Sequence, residues 1–330
     1  MAVFRRIAIL GAGAWGSALA NAVARAGRSV TLYARDPTAS AEIAKSRTNA
    51  ARLPGVAIAA EVAATNSLGE AAEADALLLA VPTAALRELA SSIASMIRPG
   101  VPLVACAKGI EQGSEKFVTE ILADVSPLGQ AAILSGPSFA ADVGRGLPTA
   151  VTLGARDESL ASDLAAALSS PAFRLYHSTD VRGIEIGGAA KNVLAIAAGI
   201  VVGRGLGASA QAALTTRGFA ELSRLGRAFG ARPETLMGLS GLGDLILTCS
   251  SPQSRNYAFG LAVGRGRSPE DLRSGPLAEG ALTAPVLVEI ARKKGIEMPI
   301  AQAVNGILSG RINVEEAISG LLSRPLKAEA

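Results

Sequence analysis

A short apolar strand, Ile7 to Leu10, runs directly into Gly11-Ala12-Gly13-Ala14-Trp15-Gly16, and a helical pattern from Trp15 to Ala26 starts inside that motif. Gly11 permits a tight turn, Gly13 lets a ligand approach the backbone, and Gly16 lets the helix pack closely on the strand. The helix N-terminus adds amide donors and partial positive charge, a combination suited to a pyrophosphate. A glycine-rich turn that binds nothing would share the letters, but here strand, motif and helix fall in register.

The pattern continues for about half the chain. Ser29 to Ala34, Ala76 to Val81, Val101 to Ala107, Ala131 to Leu134, Ala150 to Leu153 and Phe173 to Tyr176 read as further apolar strands. Helical stretches such as Thr83 to Met96 and Glu158 to Leu168 separate them. Continuous apolar strands alternating with helices predict a mostly parallel sheet covered on both faces. Beyond Val181 the strand signal fades, and helical patterns follow at 183–202, 209–229, 252–264, 283–294 and 299–309. The expectation is an α/β chain: a doubly wound, Rossmann-type dinucleotide-binding domain over 1–180, then an all-helical substrate-binding domain over 181–330. Ligands in such proteins usually sit in the cleft between the halves.

Composition narrows the function classes. The chain has 330 residues, 49% apolar and 18% charged, too apolar for disorder. Its 36 glycines have no triplet period, which excludes collagen. The 32 basic and 28 acidic residues are mixed along the chain, which argues against a nucleic-acid stripe. One histidine and two cysteines, Cys106 and Cys249, without CxxC spacing, are too few for a usual zinc site. Two isolated thiols and no charged leader with an apolar core after it predict a cytoplasmic protein.

Polar residues in apolar runs mark the candidate chemistry. Lys108 follows the Val101–Ala107 run, at the carboxyl end of a sheet strand, where open α/β sheets bind ligands; an exposed loop lysine would look the same. Lys191 lies within Ile184 to Val202, a stretch interrupted only by Glu185, Lys191 and Asn192 among its apolar and glycine residues. As a membrane span it would bear a central lysine costing roughly 2.5–3.5 kcal/mol. A buried helix without a membrane is the better reading, and a buried ammonium must be paired or lose its proton readily, which makes Lys191 a candidate acid/base. Asp244, between Gly241-Leu242-Gly243 and an apolar run, is either a helix N-cap or a partner for Lys191, with Thr248 on its face if the segment is helical.

Ser254, Arg255 and Asn256 at a helix start resemble a phosphate cradle, and Ser135-Gly136-Pro137-Ser138 ends a strand with the same donor-rich character. At the end of the second strand stands Arg35, whose guanidinium suits a 2′-phosphate, followed by Asp36, which could serve a ribose hydroxyl or cap the turn before Pro37. NADPH is therefore favoured over NADH. His177, the lone histidine, reads as a boundary residue, and no Ser/His/Asp triad can be assembled around it.

In this order the segments resemble bacterial-type NAD(P)H-dependent glycerol-3-phosphate dehydrogenase: GAGAWG at 11–16, NAARLPGV at 49–56, AKGIE at 107–111, SGPSFA at 135–140, GGAAKN at 187–192, GLGDLILTC at 241–249, QSRN at 253–256, AEG at 278–280 and EMPI at 297–300. The resemblance implies reversible hydride transfer between NAD(P)H and dihydroxyacetone phosphate, giving sn-glycerol 3-phosphate for phospholipid synthesis. It implies that Lys191 is the general acid/base, that Lys108 contacts cofactor and substrate, and that Asp244 orients the lysine with Asn192 and Thr248 beside it. Gly136, Ser138, Ser254, Arg255 and Asn256 fall where the family holds substrate. Ala14, Trp15, Arg35, Ala140, Arg255, Leu277 and Glu279 fall where it holds cofactor. Ala14 replaces a hydroxyl residue common in relatives, Ser138 replaces a threonine, and Ala281 to Pro285 lacks the polar residues common there. No metal is implied.

Two other readings are separable. A two-domain 3-hydroxy-acid dehydrogenase with a catalytic lysine would bind a carboxylate, whereas Arg255 and Asn256 suit a phosphate. A nicotinamide-nucleotide sensor would need neither Lys191, Asp244 nor Lys108. The apolar helical half could carry a homodimer face, and a monomer would have the same composition.

Overall fold

Apolar runs of four to seven residues form the strands of one eight-stranded sheet in the computed structural model, which describes residues 4–272 and 274–325. Readings that touch Met1–Val3, Arg273 or the tail after Pro325 lie outside the described residues. The first half contains β1 (Arg6–Leu10), α1 (Ala14–Arg25), β2 (Ser29–Tyr33), α2 (Pro37–Ser46), β3 (Val62–Thr65), α3 (Leu68–Ala72), β4 (Ala76–Leu79) and α4 (Thr83–Ile93). Then come β5 (Pro102–Ala105), α5 (Val118–Val125), β6 (Gln130–Ser135), α6 (Ala140–Arg145), β7 (Thr149–Ala155), α7 (Glu158–Leu168) and β8 (Phe173–Ser178). The strand order is 3-2-1-4-5-6-7-8, parallel except that β7 runs antiparallel to β6. Its first six strands follow the Rossmann arrangement, with the order reversing beside β1.

Burial explains the continuous apolar runs. In β1, Ile7 and Ile9 join the core on one sheet face while Ala8 and Leu10 join the core on the other. Alternate side chains point to opposite faces, so a strand covered by helices on both sides has no polar face. Leu10 pairs with both Tyr33 and Leu79, so the glycine turn leaves the middle of the sheet.

The remaining elements are helical: α8 (Val181–Gly203), α9 (Ala208–Ala228), α10 (Pro233–Met237), a π-helical turn (Leu239–Gly243), α11 (Asp244–Ser250), α12 (Arg255–Gly264), α13 (Glu279–Lys293), α14 (Pro299–Leu308) and α15 (Val314–Leu322). Helix α8 is the axis of this half. Its most apolar window is 89% buried inside the protein, in the cluster that includes Val193, Ile196, Leu245, Phe259 and Leu287. It meets α12 at backbone distance, because a Cβ on Gly199 would lie 2.2 Å from the Tyr257 carbonyl and one on Gly260 2.0 Å from the Ile196 carbonyl.

Several details differ from expectation. β3 has only Val62 as a strongly strand-favouring aliphatic residue, and it forms by pairing with β2, Val30 opposite Val62. Helix α12 starts at Arg255 rather than 252, since the Ser254 hydroxyl accepts from the Tyr257 N–H as N-cap. Helix α13 starts at Glu279, four residues before the expected 283. His177 is exposed on β8.

Candidate active site

The glycine turn has the shape its sequence requires. Gly11 has φ +115° and a Cβ there would lie 2.7 Å from the Ala80 carbonyl, so only glycine fits. On Gly16 a Cβ would lie 1.8 Å from the Gly11 carbonyl, so α1 packs directly on the turn. Gly13 differs: nothing lies within 4 Å of where its Cβ would be. The first helical bond runs from Ser17 N–H to the Gly13 carbonyl, and among the described residues nothing accepts from the N–H groups of Gly13 and Ala14. Beside them the indole N–H of Trp15 is buried with no partner among the described residues. Open space, free amides and an orphaned donor together suit a pyrophosphate-bearing ligand.

Arg35, just past β2, is exposed and makes no ion pair among the described residues. Asp36 is the N-cap of α2, its carboxylate accepting from the Thr38 N–H at 2.9 Å. Of its two roles open from sequence, this geometry uses it as the cap.

A second cluster forms where the ends of β5 and β6 meet α8 and α11. Lys191 on α8 reaches Asp244 Oδ1 at 2.5 Å and donates to Thr248 Oγ1 at 2.9 Å. Lys108, in the segment after β5, reaches the other oxygen, Oδ2, at 2.8 Å and donates to the Gly136 carbonyl at 2.8 Å. One carboxylate thus serves two ammonium groups. Asp244 is not a helix cap: the π-helical turn leads straight into α11, and the cap position, Gly243, is itself helical. Lys108 is half-buried rather than a free loop lysine.

Burial pushes the Lys191 ammonium down to about 8; Asp244 opposes this and Lys108 reinforces it. Close packing holds the pair in place. Gly187, one turn before Lys191 on α8, leaves room for the Ser240 carbonyl, which would be 2.5 Å from a Cβ there. Gly188 does the same for the Ser135 hydroxyl at 2.9 Å.

Among the described residues no hydrogen bond joins Asn192 to Asp244, the carboxylate it was expected to stand beside. Facing another way on α8, it donates to the Lys108 carbonyl at 2.9 Å and accepts from Asn256 Nδ2 at 2.9 Å. Asn256 in turn accepts from the Gly280 N–H at 2.8 Å, so this buried chain ties α8, α12 and α13 to the Lys108 backbone. Arg255, next to Asn256, is exposed.

Glu279 accepts from the Thr83 N–H at 3.2 Å; burial raises its carboxyl above the ordinary value, against the lowering influence of that N–H and of Arg255. Gly136 has φ +143° and its carbonyl also accepts from the Ser138 hydroxyl at 3.0 Å. Ala140 opens α6, and Leu277 is exposed before α13. Ser138 lines an open cavity of about 400 Å³ with Phe139, Asp142 and Leu247, whose walls include neither lysine.

Thus Lys191, Lys108, Asp244, Thr248 and Gly136 converge within hydrogen-bond reach, while Asn192, Asn256 and Gly280 form a supporting chain behind Lys108. The π-helical turn ahead of Asp244 and the Thr83–Glu279 contact were not anticipated, and the buried Ser135 hydroxyl, in the stretch read as donor-rich, has no partner among the described residues. Only the glycines of Gly241-Leu242-Gly243 hinted at the π-helical turn.

A Rossmann-type sheet with an open phosphate turn, joined to helices that carry a buried, proton-labile lysine, defines an NAD(P)-dependent oxidoreductase. Comparison with known proteins narrows the class. Residues 6–161 match the family profile described as NAD-dependent glycerol-3-phosphate dehydrogenase N-terminus, and residues 180–319 match that of its C-terminus. The chain belongs to the NAD-dependent glycerol-3-phosphate dehydrogenase family. A protein of Bradyrhizobium sp. (strain BTAi1) named glycerol-3-phosphate dehydrogenase [NAD(P)+] is 64% identical over 329 residues, covering 100% of both chains. One of the same name from Azorhizobium caulinodans is 60% identical over 331 residues, again covering 100% of both. The crystal structure of glycerol-3-phosphate dehydrogenase from Coxiella burnetii is 37% identical, covers 97% of this chain and 99% of its own, and superposes with a TM-score of 0.92.

Proposed function

We propose that the protein catalyses reversible interconversion of dihydroxyacetone phosphate and sn-glycerol 3-phosphate with NADPH, or less favourably NADH. The observation that carries this is the Lys191–Asp244–Lys108 cluster, with its buried ammonium, at the carboxyl edge of the sheet. The glycine turn at 11–16, Arg35, Ala140, Leu277 and Glu279 would hold the dinucleotide, whose reduced nicotinamide supplies a hydride when bound. Residues 1–180 would form its domain and 181–330 the substrate domain.

The chain's own groups do the rest. Reduction of a ketone builds negative charge on its oxygen, and the Lys191 ammonium stabilises that charge and delivers the proton. In the reverse direction the neutral amine takes the hydroxyl proton. Asp244 keeps the ammonium oriented and Thr248 fixes its direction by accepting one of its protons in a hydrogen bond. Lys108, held to Gly136, adds a second positive charge, so two ammonium groups face one carboxylate with a net surplus that suits an anionic substrate. Ser138, Ser254, Arg255 and Asn256 are the proposed substrate-phosphate group, with Arg255 the charged member. Phosphate binding supplies remote energy for orienting the ketone. Two buried, unpaired thiols support a cytoplasmic setting, and phospholipid synthesis would consume the product.

The test is the loss of reduced-nicotinamide absorbance on adding dihydroxyacetone phosphate. Turnover by the wild type that collapses by about 10²–10⁴-fold in Lys191→Ala, with NADPH still bound, is the expected result. No turnover by a wild type that binds NADPH would refute the proposal.

A further inference from the structure

We propose that Asn49 is a positioning residue for the phosphate turn, a role that rests on the dinucleotide reading above. Asn49 lies in the segment between α2 and β3, 33 residues beyond the last motif glycine, in a stretch with no part in the chemistry. The residue is 9% exposed. The Nδ2 amide donates to the Ala12 carbonyl at 2.9 Å and to Ser17 Oγ at 2.8 Å.

The Ala12 carbonyl belongs to the same peptide unit as the Gly13 N–H. No peptide bond among the described residues is cis, so in this planar trans unit the two groups point in opposite directions. Holding the carbonyl from inside the protein therefore aims the Gly13 N–H outward. There, nothing lies within 4 Å of the Gly13 Cβ position, and among the described residues nothing accepts from that N–H. A glycine-rich turn is flexible unless something fixes its peptide planes, and a donor already aimed costs a ligand less ordering on binding. Asn49 supplies that constraint from outside the motif.

The rest of the segment holds Asn49 in place. Its own carbonyl accepts from the N–H groups of Arg52 at 3.0 Å and Leu53 at 2.7 Å, which closes a tight turn. Leu53 and Val56 are buried against α6, where a Cβ on Gly144 would be 3.1 Å from each. Downstream, Asn21 of α1 accepts from the Ala59 N–H at 2.9 Å and donates to the Ala57 carbonyl at 2.7 Å. Asn-Ala-Ala-Arg-Leu-Pro-Gly-Val thus reads as a clasp, with one polar tip on the phosphate turn and two apolar plugs in the core.

The test compares dissociation constants for NADPH and for ADP-ribose, which keeps the pyrophosphate, by titration calorimetry on wild type, Asn49→Ala and Ser17→Ala. Asn49→Ala is expected to weaken both ligands on the order of tenfold. KM for NADPH should rise by more than kcat falls, and KM for dihydroxyacetone phosphate should move little, a split that simple loss of folded protein would not produce. Ser17→Ala removes one acceptor of the same amide and should weaken binding in the same direction by a smaller factor. Unchanged dissociation constants in folded Asn49→Ala overturn the proposal. If that variant does not fold, an unchanged constant in Ser17→Ala does so. A wild type that binds neither ligand overturns the dinucleotide reading and this one with it; tight wild-type binding shared by both variants overturns only this one.

Discussion

Lys191 Nζ stands 2.5 Å from Asp244 Oδ1 across the contact between α8 and α11, and both side chains are almost wholly buried. A buried pair of this kind repays its desolvation only with good geometry and further hydrogen bonds, here Thr248 on one side and Lys108 on the other. Because Lys108 shares the carboxylate, the cluster holds more positive than negative charge. It is therefore poised for a reacting oxygen that becomes negative.

The pH dependence follows from the ammonium. Ketone reduction uses the charged form of Lys191, so its rate should fall as pH rises through about 8. Alcohol oxidation uses the neutral amine and should rise through the same region. Both profiles should be measured with saturating cofactor; limbs of the same sign in both directions would exclude Lys191 as the titrating acid/base.

Neighbouring charges should move that limb in opposite directions. Asp244 holds the Lys191 value up and Lys108 pushes it down. Asp244→Asn should therefore shift the limb to lower pH and Lys108→Met to higher pH, whatever each does to the maximal rate. Asp244→Asn also leaves two buried or half-buried ammonium groups without a carboxylate, at a cost of about 3–5 kcal/mol in stability unless Lys191 sheds its proton. Rate–pH profiles and thermal melts of the two variants check both statements.

Much of this was legible in the sequence because a few residues break strong patterns. The two-faced apolar strands announced the parallel sheet, and a lysine inside an apolar helix announced a buried ammonium. Asp244 was legible as a residue but not in its role, since capping and pairing look identical in one dimension. Asn192 was legible as a polar interruption of an apolar helix and Asn256 as part of a phosphate cradle; that they bond to each other, 64 residues apart, is a product of tertiary packing. β3 was illegible because its pairing with β2, not its own alanine-rich sequence, makes it a strand.

The motif glycines should separate into structural and ligand-facing positions. Gly16→Ala forces a Cβ to within 1.8 Å of the Gly11 carbonyl and should destabilise the fold by about 1–3 kcal/mol or more. Gly13→Ala meets no protein atom within 4 Å, and its extended backbone suits alanine. It should melt near wild type yet bind NADPH about ten- to a hundredfold more weakly, because the methyl occupies ligand space. Melting curves and NADPH titrations on the two variants check the contrast; equal effects on both quantities would refute it.

Arg35 should govern the choice between the two nicotinamide cofactors. It follows β2 where the adenine ribose of a Rossmann ligand lies, it is exposed, and no carboxylate competes for it among the described residues. Asp36, the residue that could have favoured an unphosphorylated ribose, is engaged with the Thr38 N–H and stays with α2. A 2′-phosphate would gain charge-assisted hydrogen bonds from the guanidinium that a 2′-hydroxyl would not. Arg35→Ser should therefore raise KM for NADPH by about tenfold or more while changing KM for NADH much less. Removing the guanidinium leaves the lysine cluster intact, so kcat with either cofactor should stay within a few-fold. Parallel kinetics with NADPH and NADH decide the matter: a proportional rise in both KM values would mean that Arg35 stacks on the adenine, which the two cofactors share, and does not read the phosphate.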